Sequence, residues 1–227
     1  MKSVRRLVLF AVATISVSSC AGFPFGGCKQ EGPKAGAVVP DSFVVTFETS
    51  RGRFDVMAHK PWSPLGVGRL YELVQSRHFD DARFFRVIKD FAAQFGLSGD
   101  PKVNDAWSAR CIADEPVQHP NTRGTLSYAQ AGPGTRSVQM FINIGSNTSL
   151  DTLDGRGFPP FGQVVLGMDV VDSLYSGYGD VAPRSGPQYG LEGPAQDSIR
   201  LQGNAYLMRG WPKLDYIKTA RVVQEWK

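Results

Sequence analysis

Side chains that could carry out metal, nucleophilic or phosphate chemistry are scattered along this sequence. The three histidines, His59, His78 and His119, lie far apart and lack the spacing of metal ligands. Residues 96–100 miss the Gly-x-Ser-x-Gly pattern of a nucleophilic serine by one position, and residues 132–135 lack the lysine of a phosphate-binding loop. We therefore predict no metal, no cofactor and no covalent intermediate.

The remaining candidates lie in three stretches that follow one another in a fixed order. The stretches contain Phe-Phe-Arg-Val-Ile at 84–88, Ala-Gln-Ala-Gly-Pro at 129–133 with Gln-Met-Phe-Ile at 139–142, and Leu-Asp-Gly at 153–155 with Phe-Gly-Gln-Val at 161–164. Each string is weak alone, but the ordered set is highly specific. In order and spacing it resembles the cyclophilins, the peptidyl-prolyl cis/trans isomerases. The resemblance covers residues 42–175 and the closing strand.

This resemblance implies both a fold and a set of functional residues. The implied fold is mainly β, a closed antiparallel cyclophilin-like barrel of about eight strands capped by two helices. The implied catalytic residue is Arg86, and the expected partners are proline-containing unfolded or extended polypeptides. The substrate-binding residues implied by the same strings are Phe91, Ala92, Gln94, Ala129, Gln130, Ala131, Gln139, Phe141, Leu153 and Phe158.

The chemistry expected of Arg86 is non-covalent. Rotation about an X–Pro bond is slow because the nitrogen lone pair is shared with the carbonyl, which gives a barrier of about 18–20 kcal/mol. A donor that favours the pyramidal nitrogen lowers this barrier, and the guanidinium offers a rigid fork of N–H groups and is always charged. Phe91, Phe141 and Leu153 would form apolar walls around the ring.

Several positions depart from the usual strings of the family. Ala92 stands where a pocket methionine is usual, and Gln130 replaces an asparagine. A second function therefore stays open, that of a cyclophilin-like module or holdase that binds proline segments without isomerising them. Without the three ordered stretches, Phe91 and Phe141 would be read as core residues. Phe158 is as consistent with loop packing as with substrate contact.

Short strands and turns dominate the hydrophobic pattern. Alternating apolar residues predict a hairpin over 43–58 that turns at Arg51-Gly52. Helical spacing predicts helices over 64–77 and 168–175. The insert at about 180–213 is rich in Gly and Pro and is predicted to hold a short helix over 198–208. The other predicted strands are 82–88, 92–95, 125–129, 140–144, 162–165 and 216–223.

The N-terminus has the layout of a secretory signal peptide, which we assign to residues 1–19. A short basic start precedes an apolar run over 7–17, which is too short to span a bilayer because a spanning helix needs about 20 residues. Without residues 1–19 the chain retains 22 basic and 21 acidic side chains. The charge is therefore nearly balanced, and we predict no nucleic-acid partner.

The end of this segment, Val17-Ser18-Ser19-Cys20, resembles a bacterial lipobox. We expect a lipidated Cys20, a flexible Gly/Pro-rich tether over 20–40, and a monomeric domain over 41–227. These features predict a membrane-anchored lipoprotein of the cell envelope that faces the periplasm or the exterior. Ordinary cleavage near Ala21 would instead give a soluble periplasmic or secreted protein.

The other two cysteines, Cys28 and Cys111, are separated by most of the first half of the chain. A disulfide between them is possible in an oxidising envelope. Because one lies in the expected tether and the other in an expected loop, we predict that they are unpaired, although the sequence leaves both states open.

Overall fold

The computed structural model describes residues 28–31, 38–181 and 192–227. Its strands are β1 (Lys29–Gln30), β2 (Ser42–Thr49), β3 (Arg53–His59), β4 (Arg86–Ile88), β5 (Ala92–Phe95), β6 (Arg110–Cys111), β7 (Thr125–Tyr128), β8 (Met140–Asn143), β9 (Pro160–Leu166), β10 (Asp180–Val181), β11 (Glu192–Gly193) and β12 (Ile217–Trp226). Eight of these strands form one antiparallel sheet in the order β12-β2-β3-β9-β7-β8-β5-β4. The prediction of a mainly β fold is confirmed.

The hairpin at the start of the domain forms as the alternation predicts. β2 pairs with β3 so that Phe47 lies opposite Phe54, and their rings stack with centroids 4.9 Å apart. The chain reverses at Gly52, which has φ +135°, a conformation that only glycine adopts easily. Phe95 of β5 packs edge-on against Phe47. The main core therefore forms where the hairpin meets the strands that follow.

The two edge strands of the sheet, β4 and β12, are linked by the chain segments beside them. The amide of Asp81 donates to the carbonyl of Ile217 at 2.8 Å, and the amide of Ile217 donates to the carbonyl of Ala82 at 2.8 Å. The amide of Phe84 donates to the carbonyl of Asp215 at 3.0 Å. The predicted strand 82–88 is therefore too long, because its first residues bond to the 215–217 segment and only Arg86–Ile88 pairs with β5.

The described residues contain four α-helices, α1 (Pro64–Gln75), α2 (Pro101–Trp107), α3 (Met168–Asp172) and α4 (Gln196–Gly210). The predicted helices 64–77 and 168–175 correspond to α1 and α3, although both predictions run past the observed ends. The expected cap of two helices is wrong in number, because α2 and α4 also pack on the sheet's hydrophobic core. α2 begins where Asp100 accepts a hydrogen bond from the amide of Lys102 at 2.9 Å, with Pro101 at its first position.

The predicted short helix of the insert is the central part of α4. The helix is interrupted at Gly203, which has φ +56° and lies so close to the carbonyl of Gly99 that a Cβ would collide with it. The amide of Asn204 donates to that same carbonyl at 2.9 Å. A glycine at 203 therefore lets α4 dock directly on the loop before α2.

The segment around Cys28 differs from the expectation of a free tether and unpaired cysteines. Cys28 and Cys111 form a disulfide, with Cα atoms 5.8 Å apart. β1 and β6 pair in parallel beside it, with Lys29 opposite Arg110. The prediction of unpaired cysteines is wrong because this pairing brings together two residues separated by 83 positions, which spacing alone does not reveal.

Part of the predicted N-terminal organisation lies outside the described residues. This applies to the signal peptide 1–19, to Cys20 and to most of the tether 20–40. The middle of the insert 180–213, at 182–191, is also outside them. No helix in the described part of the chain is long and apolar enough to cross a membrane.

Candidate active site

Three neighbouring strands align Arg86, Gln94 and Phe141 in one row across the sheet. Arg86 of β4 lies opposite Gln94 of β5, and Gln94 lies opposite Phe141 of β8. Residues that face each other across antiparallel strands project to the same side of the sheet. The strand register therefore places the predicted catalytic cation and one predicted pocket wall on one face.

The side-chain amide of Gln94 connects the guanidinium to Gln139, the residue just before β8. Its Oε1 accepts a hydrogen bond from Arg86 Nη1 at 3.3 Å, and its Nε2 donates to Gln139 Oε1 at 3.0 Å. The ring of Phe91 lies under the guanidinium, with Arg86 Cζ 5.6 Å from the ring centroid. Gln94 is buried, so its two hydrogen bonds also satisfy the polar atoms of a side chain that is largely removed from water.

An apolar cluster, separate from the main core, lies beside this row. We call it the pocket cluster. Its buried members are Ala92, Phe141, Leu150 and Phe158, and its partly buried members are Phe91, Ala129 and Leu153. The rings of Phe141 and Phe158 meet edge to face with centroids 5.9 Å apart. The structure thus brings together six of the predicted substrate-binding residues and adds Leu150, which the sequence analysis missed.

A buried asparagine holds the loop that carries Phe158 against the sheet. Asn121 Nδ2 donates to Asp151 Oδ1 at 2.7 Å and to the carbonyl of Phe158 at 2.8 Å. Asn121 Oδ1 accepts from Ser127 Oγ at 2.8 Å and from Asn143 Nδ2 at 3.2 Å. Asn121 is fully buried, and no pattern around it in the sequence indicated this role.

The predicted substrate-binding segment Ala129–Ala131 forms several hydrogen bonds within the protein. The amide of Ala129 donates to the carbonyl of Gln139 at 3.0 Å, and the amide of Ala131 donates to Thr135 Oγ1 at 2.8 Å. The side chain of Gln130 donates to the carbonyl of Gly157 at 2.9 Å. Two backbone N–H groups of this predicted substrate-binding segment therefore already have partners within the protein, and the Gln130 side chain connects the segment to the loop of Phe158.

An acidic residue that the sequence analysis did not select contacts Arg86. Asp180 of β10 accepts hydrogen bonds from Arg86 Nε at Oδ1 and from Arg86 Nη2 at Oδ2, the latter at 3.1 Å. The side chains of Arg86 and Asp180 are 13% and 20% exposed. Among the residues that the structure describes, no group of three or more His, Cys, Asp or Glu side chains is arranged to hold a metal ion.

A comparison with protein families identifies the fold and the reaction class. Residues 44–189 match the family model of the cyclophilin type peptidyl-prolyl cis-trans isomerases. The chain belongs to this cyclophilin family. Its enzyme class is therefore that of the peptidyl-prolyl isomerases, and cyclophilins bind proline-containing peptides.

Individual relatives agree with this assignment. The cyclophilin is 35% identical to a peptidyl-prolyl cis-trans isomerase of Arabidopsis thaliana over 136 residues, which are 58% of this chain and 80% of the relative. It is 31% identical to peptidyl-prolyl cis-trans isomerase B of Escherichia coli strain K12 over 137 residues, which are 58% of this chain and 83% of the relative.

Solved structures show the same fold at low sequence identity. A cyclophilin type peptidyl-prolyl cis-trans isomerase of Cryptosporidium parvum matches 81% of this cyclophilin and 99% of its own chain, with a TM-score of 0.55 and 18% identity. A second crystal structure of that protein, obtained in the presence of the dipeptide Ala-Pro, matches with a TM-score of 0.54 and 19% identity over 80% of this chain and 99% of its own.

Proposed function

We propose that this cyclophilin isomerises X–Pro bonds in exported polypeptides, with Arg86 as the catalytic group and the pocket cluster as the binding site of the proline ring. The observation that carries the proposal is the row of Arg86, Gln94 and Phe141 across three paired strands. This register puts a rigid hydrogen-bond donor next to an apolar surface, the combination that rotation of a prolyl bond requires.

Arg86 acts on the twisted state of the peptide bond. As the bond rotates, its nitrogen loses conjugation with the carbonyl and becomes a better hydrogen-bond acceptor. An N–H of the guanidinium then donates to that nitrogen, and this contact is weak in either planar ground state. An interaction stronger in the transition state than in the ground state raises the rate, tenfold for each 1.36 kcal/mol. No bond to the enzyme forms and no proton is transferred.

The pocket cluster holds the proline ring while the rest of the peptide turns. Phe141 and Phe158 are buried and meet edge to face, so they offer a preformed apolar wall. Ala92 contributes a single methyl group to the same cluster. The related protein that was crystallised in the presence of Ala-Pro supports the idea that a short prolyl peptide suffices as a ligand.

The test of catalysis is the exchange rate between the cis and trans forms of one X–Pro peptide, measured by NMR at saturating enzyme. We expect Arg86→Ala and Arg86→Lys each to slow exchange by roughly tenfold to a hundredfold, the equivalent of one charge-assisted hydrogen bond. Lysine retains the charge but lacks the planar fork, so it should restore little. Peptide affinity should change little in both variants.

The opposite result would favour the second function left open by the sequence. If the wild-type protein binds the peptide but does not accelerate exchange, the protein is a binding module or holdase. If exchange is fast in the wild type and equally fast in both Arg86 variants, the catalytic role of Arg86 is wrong.

We also propose that the mature protein is a lipoprotein of the cell envelope, anchored through Cys20. The lipobox-like Val17-Ser18-Ser19-Cys20 supports this location, and so does the Cys28–Cys111 disulfide, since disulfides persist in oxidising compartments. Bacterial lipoproteins carry two or three acyl chains, which anchor a protein stably. Mass spectrometry of the native N-terminus tests the proposal, and an unmodified chain beginning at Ala21 or Gly22 would contradict it.

The remaining part of the proposal concerns the shape of the sheet. The hydrogen bonds between the 81–84 segment and the 215–217 segment support closure of the eight strands into a barrel. Closure predicts that the amides of Asp81, Phe84 and Ile217 exchange with solvent as slowly as the amides of β5. Rapid exchange at these three positions would contradict a closed barrel.

A further inference from the structure

The guanidinium of Arg86 is held along one edge by a single carboxylate. Asp180 accepts from both Nε and Nη2, and both side chains are mostly buried. A pair of parallel hydrogen bonds between a planar guanidinium and a carboxylate fixes the plane and the direction of the arginine fork. A single hydrogen bond, such as the one that Arg86 Nη1 donates to Gln94 Oε1, does not fix the plane of the guanidinium.

The remaining N–H groups of Arg86 are those that the proposed catalysis needs. A guanidinium has five N–H bonds. Asp180 uses the Nε–H and one Nη2–H, and Gln94 uses one Nη1–H. One N–H on each terminal nitrogen is left outside these contacts. We infer that Asp180 is a positioning residue, which orients Arg86 so that a terminal N–H meets the prolyl nitrogen; this inference rests on the catalytic role proposed for Arg86.

The fold holds Asp180 in place independently of Arg86. β10 pairs in parallel with β11, so that Asp180 lies opposite Glu192 and Val181 lies opposite Gly193. A Cβ at position 193 would lie 2.8 Å from the backbone oxygen of Asp180, so a glycine at this position permits the close approach of the two strands. The carboxylate is therefore carried by a paired strand.

Another part of the insert, α4, also contacts the chain just before β4. Asn204 of α4 accepts from Arg83 Nε at 3.0 Å and donates to the carbonyl of Asp81 at 3.0 Å. The insert thus contacts the segment that leads into β4 through Asn204, and β4 itself through the pair between Asp180 and Arg86. The contacts of Asn204 therefore attach the insert to the chain before β4 at a point separate from the pair between Asp180 and Arg86.

Removal of the carboxylate would leave Arg86 with weaker restraints. The contacts that remain are the 3.3 Å hydrogen bond to Gln94 and the Phe91 ring at 5.6 Å. The arginine side chain would then recover much of the rotamer freedom that a long side chain loses when it is ordered. Because the lost order affects a contact made in the transition state, we expect kcat to fall while KM stays nearly constant.

The test compares Asp180→Asn with a matched pair elsewhere in the sheet. Asn keeps the size of the side chain but replaces one acceptor oxygen with an N–H donor that faces the guanidinium. The control is Asp55→Asn in β3, because Asp55 accepts from Arg53 Nε and Nη2 at 2.9 and 2.7 Å and β3 is separated from β4 by four strands. We expect Asp180→Asn to lower kcat about tenfold with KM within about twofold, and Asp55→Asn to leave both unchanged.

A second comparison separates positioning from a general effect on the fold. In the Arg86→Lys background the planar fork is absent, so Asp180→Asn should cause no further loss of kcat. An additional tenfold loss in that background would overturn the inference, as would an unchanged kcat for Asp180→Asn in the wild-type background. A kcat above the wild-type value would also overturn it, because the carboxylate would then compete with the substrate for Arg86. If Arg86→Lys itself retains full activity, the catalytic role of Arg86 fails, and this inference fails with it.

Discussion

Strands β5 and β8 separate the main core from the candidate active site, and their two faces bury different kinds of groups. The core face carries Ala93, Phe95, Met140 and Ile142, whereas the site face carries Ala92, Gln94, Phe141 and Asn143. All eight side chains are buried. The two faces therefore differ in the polarity of their side chains and not in their exposure to solvent.

The polar side chains on the site face are satisfied by one another. Gln94 joins Arg86 to Gln139, and Asn143 Nδ2 donates to Thr125 Oγ1 at 2.8 Å while its Oδ1 accepts from Asn147 Nδ2 at 2.7 Å. Each of these bonds depends on the register of the strands, since a shift by one residue would turn every side chain to the other face. The hydrogen bonds of the site face therefore depend on the observed strand register.

The largest effect on stability should come from truncation on the core face. Phe95 is fully buried and its ring lies 5.2 Å from that of Phe84 and 5.8 Å from that of Phe79. We expect Phe95→Ala to lower the free energy of unfolding by about 3–5 kcal/mol, because it removes a large apolar side chain and leaves a cavity. Urea denaturation followed by circular dichroism measures the loss. A loss smaller than that of a site-face truncation would contradict the division between the faces.

The two faces were predictable from the sequence to different degrees. The alternation of Ala92, Ala93, Gln94 and Phe95 already assigns these residues to opposite sides of a strand, and the ordered strings select Arg86 and Phe141. The helix α2 was not predicted, although Asp100-Pro101 is a typical helix start. Local signals therefore account for most of the strands and for the centre of the site.

Contacts that depend on distant chain segments were not predictable. Asp180 is one of three acidic residues in a Gly/Pro-rich insert and lies 94 positions from Arg86. Asn121 precedes β7 without any pattern that would mark it as the residue that holds Phe158. The Cys28–Cys111 bridge depends on the pairing of two strands of two residues each. Such contacts are created by tertiary packing, and residue type and spacing give no local sign of them.

A buried histidine beside the core face should make the protein sensitive to acid. His78 Nε2 donates to the carbonyl of Gly96 at 2.7 Å, directly after β5, and its ring packs edge-on against Phe79 and Trp107. Burial lowers the pKa of His78 from 6.5 to about 4, and the nearby charge of Arg69 contributes to the decrease. In contrast to the amides on the site face, this buried polar group can change its charge.

The folded state therefore binds the proton of His78 more weakly than the unfolded state does. The contribution of His78 to the free energy of unfolding is complete above pH 6.5 and is lost as the pH drops from 6.5 toward 4. The change corresponds to about 3 kcal/mol over this window. We expect His78→Gln, which retains an N–H donor but does not titrate, to lose less stability between these pH values than the wild type. Equal pH profiles of unfolding in the two proteins would show that His78 does not titrate in this range.

The smallest expected effect, and the one that best separates the two faces, is that of Phe141→Ala. Phe141 is buried like Phe95, but it belongs to the small pocket cluster and contacts Phe158 rather than the main core. The pocket cluster is small and includes the partly buried residues Phe91, Ala129 and Leu153. The stability loss should therefore be smaller than for Phe95→Ala, since the cost of a truncation depends on how well the site adjusts. Affinity for an Ala-Pro peptide, measured by NMR titration, should fall by about tenfold, or 1.4 kcal/mol. Phe141→Leu keeps part of the wall, so its affinity for the peptide should lie between those of the wild type and of Phe141→Ala. A folded Phe141→Ala protein with unchanged affinity would mean that this ring belongs to the core and that the proline ring binds elsewhere on the sheet.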